Sequence, residues 1–113
     1  MKIAVVDDER PARSELSFLI TDILPEAEIL EAASGAAALE LFLSTPDISL
    51  AFLDINLNDM DGTTLAAAMQ KILPDVPVVF ATAYSDYAVK AFELGAADYI
   101  LKPIEPDRLR TVM

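Results

Sequence analysis

The chain has no cysteine, no histidine and no tryptophan, and its 8 Lys and Arg are outnumbered by 19 Asp and Glu. Each absence removes a class of chemistry. Without cysteine there is no thiol nucleophile and no disulfide framework, and without histidine there is no imidazole base. A Ser-His-Asp triad and a Cys/His zinc site are therefore excluded, and any metal must be a hard cation held by oxygen. The net charge of −11 argues against nucleic-acid binding by this segment, because phosphate contacts need Lys and Arg. Long apolar runs are missing too. None approaches the ~20 residues that a bilayer-spanning helix needs. Met1-Lys2 leads straight into Ile3-Ala4-Val5-Val6 and two aspartates, which is unlike a signal peptide.

What the chain does have is material for a core. Hydrophobic residues make up 54% and the mean hydropathy is +0.40. Its 113 residues fit one domain, which should bury roughly two-thirds of its unfolded surface. The expected class is a soluble, cytoplasmic, single globular domain.

Short apolar runs alternate with helical patterns along the whole length. Ile3 to Val6, Leu50 to Leu53 and Val78 to Ala81 are continuous apolar runs, as expected of strands covered on both faces. Ile29-Leu30, flanked by Glu28 and Glu31, reads as an edge strand, and Tyr99 to Leu101 as the fifth. Helical spacing joins Ala12, Leu16, Leu19, Ile20 and Ile23 between Pro11 and Leu24. Ser34 can cap a second helix through Leu39, Phe42 and Leu43, and Asp61-Gly62 leads into a third with Leu65, Ala68, Met69 and Ile72. A fourth is predicted from about Ser85 to Leu94, stopped by Gly95, and Glu105-Pro106 opens the last. This βα alternation predicts a doubly wound α/β fold, a parallel sheet with helices on both faces.

In such folds ligands bind beyond the C-terminal ends of the strands, where the strand order reverses. Asp7-Asp8 follow the first strand, Asp54 the third with Asn56 two residues on, Thr82 the fourth, and Lys102-Pro103 the fifth. Any one carboxylate after a strand often does no more than cap a helix. Together they are harder to dismiss, because two charges ~5 Å apart repel by roughly 3 kcal/mol at an effective dielectric near 20. If the first and third strands are neighbours, Asp7, Asp8 and Asp54 converge and need an offset. A divalent cation plus Lys102 would supply it, and Mg²⁺ suits one or two carboxylates completed by waters and phosphate oxygens.

The segments Val5-Val6-Asp7-Asp8-Glu9, Phe52 to Leu57 with its central Asp54, Met60-Asp61-Gly62, Ala81-Thr82-Ala83 and Ala97 to Pro103 stand in this order. In them the chain resembles the receiver domain of bacterial two-component response regulators, over Lys2 to about Leu109. The resemblance implies a flavodoxin-like sheet of order 2-1-3-4-5. It implies Asp54 as phosphoacceptor from a phosphohistidine of a sensor histidine kinase, Asp8 as the main Mg²⁺ ligand and Asp7 as a helper through water. It further implies that Asn56 offers its backbone carbonyl to the metal and that Thr82 and Lys102 bind phosphoryl oxygens. Tyr99 would be the aromatic that turns inward when Thr82 moves, and the Lys102–Pro103 peptide would be cis. Asn56 and Tyr84 would border the path of the hydrolytic water. Tyr84, Tyr87-Ala88, Ala91-Phe92-Glu93 and the 20 positions from Thr82 to Lys102 resemble receivers of the LytTR (LytR/AlgR) type. Such receivers act on a separate DNA-binding domain, and phosphorylation is expected to favour a homodimer through the fourth helix and fifth strand.

Two other readings remain at this point. A haloacid-dehalogenase-like phosphatase also uses Mg²⁺ and an Asp nucleophile, but its nucleophile follows the first strand and has a second Asp two residues on, where this chain has Asn56. A pseudo-receiver would act without phosphorylation, against which the set Asp7, Asp8, Asp54, Thr82 and Lys102 speaks. The expectation is a signalling switch that catalyses only its own phosphorylation and dephosphorylation. The last helix, opening at Pro106, has eight residues up to Met113, short of the roughly three turns usual for a helix. A truncated final helix and an effector domain outside residues 1–113 are therefore expected.

Overall fold

The computed structural model describes residues 1–86 and 88–113, with Val89 described by its main chain alone. Apolar runs become inner strands because helices cover both faces of the sheet. These strands are β1 (Lys2–Val6), β3 (Ile48–Leu53) and β4 (Val78–Thr82), and the edges are β2 (Glu28–Ala32) and β5 (Asp98–Leu101). All pairings are parallel, in the order β2-β1-β3-β4-β5. The expected doubly wound fold and strand order are thus observed, with Ile29-Leu30 on an edge strand.

Among the described residues five helices alternate with the strands: α1 (Arg10–Ile23), α2 (Gly35–Ser44), α3 (Gly62–Ile72), α4 (Ala88–Glu93) and α5 (Pro106–Val112). Because successive strand residues point to opposite faces, β1 feeds two cores. Ile3 and Val5 pack with Leu16, Ile20, Ile100 and Leu109 on the α1/α5 side. Ala4 and Val6 join Phe42, Leu65, Met69 and Phe80 on the α2/α3 side. Among the described residues no helix is long and apolar enough to cross a membrane.

The fourth helix is shorter than its spacing predicts. Ser85 and Asp86 lie in a bend and a turn, and the regular helix described is Ala88–Glu93. Short polar side chains at such positions compete for nearby backbone groups and favour turns over helix. The expected Tyr87 lies outside the described residues. At the other end the prediction holds: Gly95 adopts φ 80°, and the Ala96 amide donates back to the Ala91 carbonyl at 3.0 Å.

Sheet register delivers the rim. Val6 pairs with Leu53, and the ladder runs on past both strands: Asp54 N donates to Val6 O at 3.0 Å, and Asp7 N to Ala32 O at 3.1 Å. Across the sheet Thr82 pairs with Leu101, and Lys102 N donates to Thr82 O at 2.8 Å. Gly62, the first residue of α3, packs so tightly under β3 that a Cβ would overlap the Asp54 carbonyl and lie 2.8 Å from the Ile55 Cα. Only backbone atoms stand in the way, so nothing there can rotate aside. Gly62→Ala should cost about 1–3 kcal/mol of stability, as overpacking does. A urea midpoint matching that of the natural chain would refute this account of Gly62.

Candidate functional site

Asp7 and Asp54 are almost fully buried, although each stands at a strand end, while Asp8 is half-buried. Carboxylate oxygens of Asp7, Asp8 and Asp54 lie within 4.8 Å of one another. Asp7 is held at both oxygens: Oδ1 accepts the Glu9 amide at 2.9 Å, and Oδ2 takes Lys102 Nζ at 2.6 Å. The same Nζ reaches Asp54 Oδ2 at 3.2 Å. One ammonium therefore sits between carboxylates that follow two different strands. The Lys102–Pro103 peptide is cis.

Charge and burial compete here. Loss of hydration is the largest influence on Asp7 and pushes its carboxyl above the ordinary aspartate value. The bond from Lys102 and the Glu9 amide act against that rise, and Asp54 adds to it. Burial also opposes the charge on Lys102, yet the bond to Asp7 and the field of Asp54 outweigh it and hold the ammonium above the ordinary lysine value. Lys102 stays charged, and Asp7 carries the strain of the cluster.

Thr82 is fully buried, and its Oγ1 accepts the Tyr84 amide at 3.4 Å. Tyr84 is a junction. Its hydroxyl accepts from Asn56 Nδ2 at 3.2 Å, and its carbonyl accepts the Tyr99 hydroxyl. Tyr99 is half-buried, its ring centroid 6.1 Å from that of Phe80. The structure thus brings Asp7, Asp8, Asp54 and Lys102 together, with Asn56, Tyr84, Thr82 and Tyr99 joined in a chain beside them.

Two contributors escaped the sequence reading. Arg13 donates Nη1 to the Asp7 carbonyl at 2.8 Å and Nε to Glu31 at 3.2 Å, pinning the turn that carries the acid pair. Its signal was faint: a cation one turn into the helix that follows the acids. Asp59 accepts the amides of Gly35 and Ala36, and no local pattern announces partners 24 and 23 residues away.

A family model described as the response regulator receiver domain matches residues 3–113. The chain belongs to that family. This receiver domain is 49% identical over 111 residues to the sensory transduction protein LytR of Streptococcus mutans, covering 96% of this chain and 45% of that protein. It is 44% identical over 109 residues to the transcriptional regulatory protein LytR of Staphylococcus aureus, covering 96% and 44%. The chain therefore spans less than half the length of these curated relatives. Both fit the LytTR type that the sequence resembles. Among solved structures, the response regulator protein TrrA of Thermotoga maritima, in complex with Mg²⁺ and BeF, superposes with a TM-score of 0.85 at 28% identity, covering 99% of this chain and 98% of that one. The chain is thus a response-regulator receiver, a signalling protein, and neither the phosphatase nor the pseudo-receiver reading gains support.

A carboxyl whose value rises on folding binds its proton more firmly in the folded chain than in the unfolded one. The stability this contributes is fully present below the ordinary value of 3.8 and is lost as the pH rises through the folded value. In EDTA, Asp7→Asn should therefore gain stability relative to the natural chain between about pH 4 and about pH 7. Urea unfolding at both pH values measures this, and a constant difference would contradict it.

Proposed function

We propose that this receiver domain takes a phosphoryl group onto the Asp54 carboxylate from the phosphohistidine of a sensor histidine kinase, in a Mg²⁺-dependent reaction. The observation that carries the proposal is the cluster itself: Asp54 lies with its carboxylate oxygen within 4.8 Å of those of Asp7 and Asp8, and its Oδ2 is 3.2 Å from Lys102 Nζ. The absence of histidine from the chain fits a donor imidazole that arrives in trans.

Three carboxylates with oxygens within 4.8 Å form a hard, anionic donor set, which fits Mg²⁺. Asp8, Asp54 and the Asn56 main-chain carbonyl would hold the ion, with Asp7 acting through water. When bound, it neutralises charge on the carboxylates and on the incoming phosphoryl oxygens. An Asp54 oxygen attacks phosphorus in line as the bond to the donor imidazole nitrogen breaks. The electron pair of that bond leaves with the imidazole, which is protonated by solvent. Lys102 pairs with a phosphoryl oxygen, and the Thr82 hydroxyl donates to another. Such transfer depends on positioning and charge neutralisation more than on covalent chemistry by the protein. The domain turns over no external substrate and works as a cytoplasmic switch.

Movement of Thr82 towards the phosphoryl group would break its contact with the Tyr84 amide, and the Tyr84 carbonyl is the partner of the Tyr99 hydroxyl. Tyr99 turning inward would then reshape the surface of α4 and β5, where Phe92 and Leu101 are 61% and 48% exposed. That surface would pair two receivers and so control a LytTR-type DNA-binding domain outside residues 1–113. Support for the effector comes from relatives more than twice this length, one of them named a transcriptional regulator.

Incubated with acetyl phosphate and Mg²⁺, the chain should gain the mass of one phosphoryl group, with no gain in EDTA or in Asp54→Ala. A gain in Asp54→Ala would move the acceptor elsewhere. Sedimentation with beryllofluoride should shift the domain towards a dimer, and a monomer with and without beryllofluoride would remove the pairing model.

A further inference from the structure

The loop between β3 and α3 carries Asn56, whose main-chain carbonyl is a metal ligand in the reading above. Its base is closed by backbone pairs: Gly62 N donates to Ile55 O at 2.6 Å, and Asn56 and Asp61 form an antiparallel bridge. Its tip reaches a different element. The Asp59 carboxylate accepts Gly35 N at 2.8 Å and Ala36 N at 2.9 Å, the first two amides of α2. Met60 lies so close to Gly35 that a Cβ there would overlap the Met60 side chain. Leu57 is buried in the α2/α3 core.

The helix has its own cap without Asp59. Ser34 Oγ accepts Ala37 N at 3.0 Å, and the Ser34 carbonyl accepts Ala38 N at 3.0 Å. Asp59 fills the two amides that a local cap leaves open, and it does so from the loop that carries Asn56. The Ala36 amide, and then that of Gly35, hold its carboxyl below the ordinary aspartate value, so the latch is charged at neutral pH.

We propose that Asp59 is a positioning residue for the metal: by tying the loop tip to the start of α2, it holds the Asn56 carbonyl where the Asp7-Asp8-Asp54 rim can use it. The inference rests on the site reading above. A residue that only capped α2 would behave like Ser34, which caps the same helix without touching the loop, so Ser34→Ala is the matched control.

The measurement is a titration of the chain with MgCl₂, followed through backbone amide signals by ¹H–¹⁵N NMR, with melting temperatures taken in EDTA. In the natural chain the Gly35 and Ala36 signals should follow the same binding curve as those of Asp54 and Asn56. Asp59→Ala should weaken Mg²⁺ binding roughly tenfold, the scale seen when a group supporting a metal ligand is removed. Asp59→Asn, which keeps one acceptor oxygen, should fall between. Ser34→Ala should lower the melting temperature and leave the Mg²⁺ affinity unchanged. Natural affinity in Asp59→Ala, or an equal loss in Ser34→Ala, would overturn the proposal. Should Asp59→Ala fail to fold, Asp59→Asn decides on the same criterion. Asp8→Ala separates the two layers of argument. Lost binding there with natural affinity in the Asp59 variants refutes the latch alone, whereas natural binding in Asp8→Ala places the ion elsewhere and refutes site and latch together.

Discussion

The main-chain bond from Asp54 to the Val6 carbonyl, 3.0 Å long, extends the β1–β3 ladder one step beyond the end of β3. Much of the site depends on it. Parallel pairing puts the C-terminal ends of neighbouring strands side by side, so acids following the two strands meet whether or not their charges favour it. The cost is carried by Lys102, which comes from the far edge of the sheet and bonds both Asp7 and Asp54. Burial makes the arrangement demanding, since water screens little of the repulsion. A cluster of three acids and one ammonium is short of positive charge.

Around that cluster the backbone is held from several directions. Arg13 secures the turn after β1 through the Asp7 carbonyl, and Gly62 brings the start of α3 against the Asp54 main chain. The cis bond after Lys102 belongs to the loop that brings the ammonium in from β5. The supporting contacts are largely to main-chain atoms, so the carboxylates are placed by the geometry of turns and only secondarily by their own rotamers.

The inner strands were legible because burial on both faces demands unbroken apolar runs, which Ile3 to Val6 and Val78 to Ala81 supply. The meeting of Asp7, Asp8 and Asp54 was legible because alternating strands and helices send every strand end to one rim. The start of α4 was not: Ser85 and Asp86 satisfy the helical spacing of their neighbours but prefer local turns, and spacing carries no record of that competition. Arg13 and Asp59 were missed for a different reason. Both act on backbone groups, and a hydrogen bond to a carbonyl or an amide selects no particular side chain at the other end. Nothing at Gly35 or Ala36 marks them as the partners of an acid more than twenty positions away.

The junction at Tyr84 has an optical consequence. The chain has three tyrosines and no tryptophan, so tyrosine alone sets its near-ultraviolet emission. The phenol of Tyr84 is bonded to Asn56 at the rim, and that of Tyr99 to the main chain of Tyr84, beside the ring of Phe80. Two of the three fluorophores are thus wired into the segment that links Thr82 to the β5 surface. A rearrangement of that segment would change the hydrogen bonding of both phenols at once, and their emission would report it without a label.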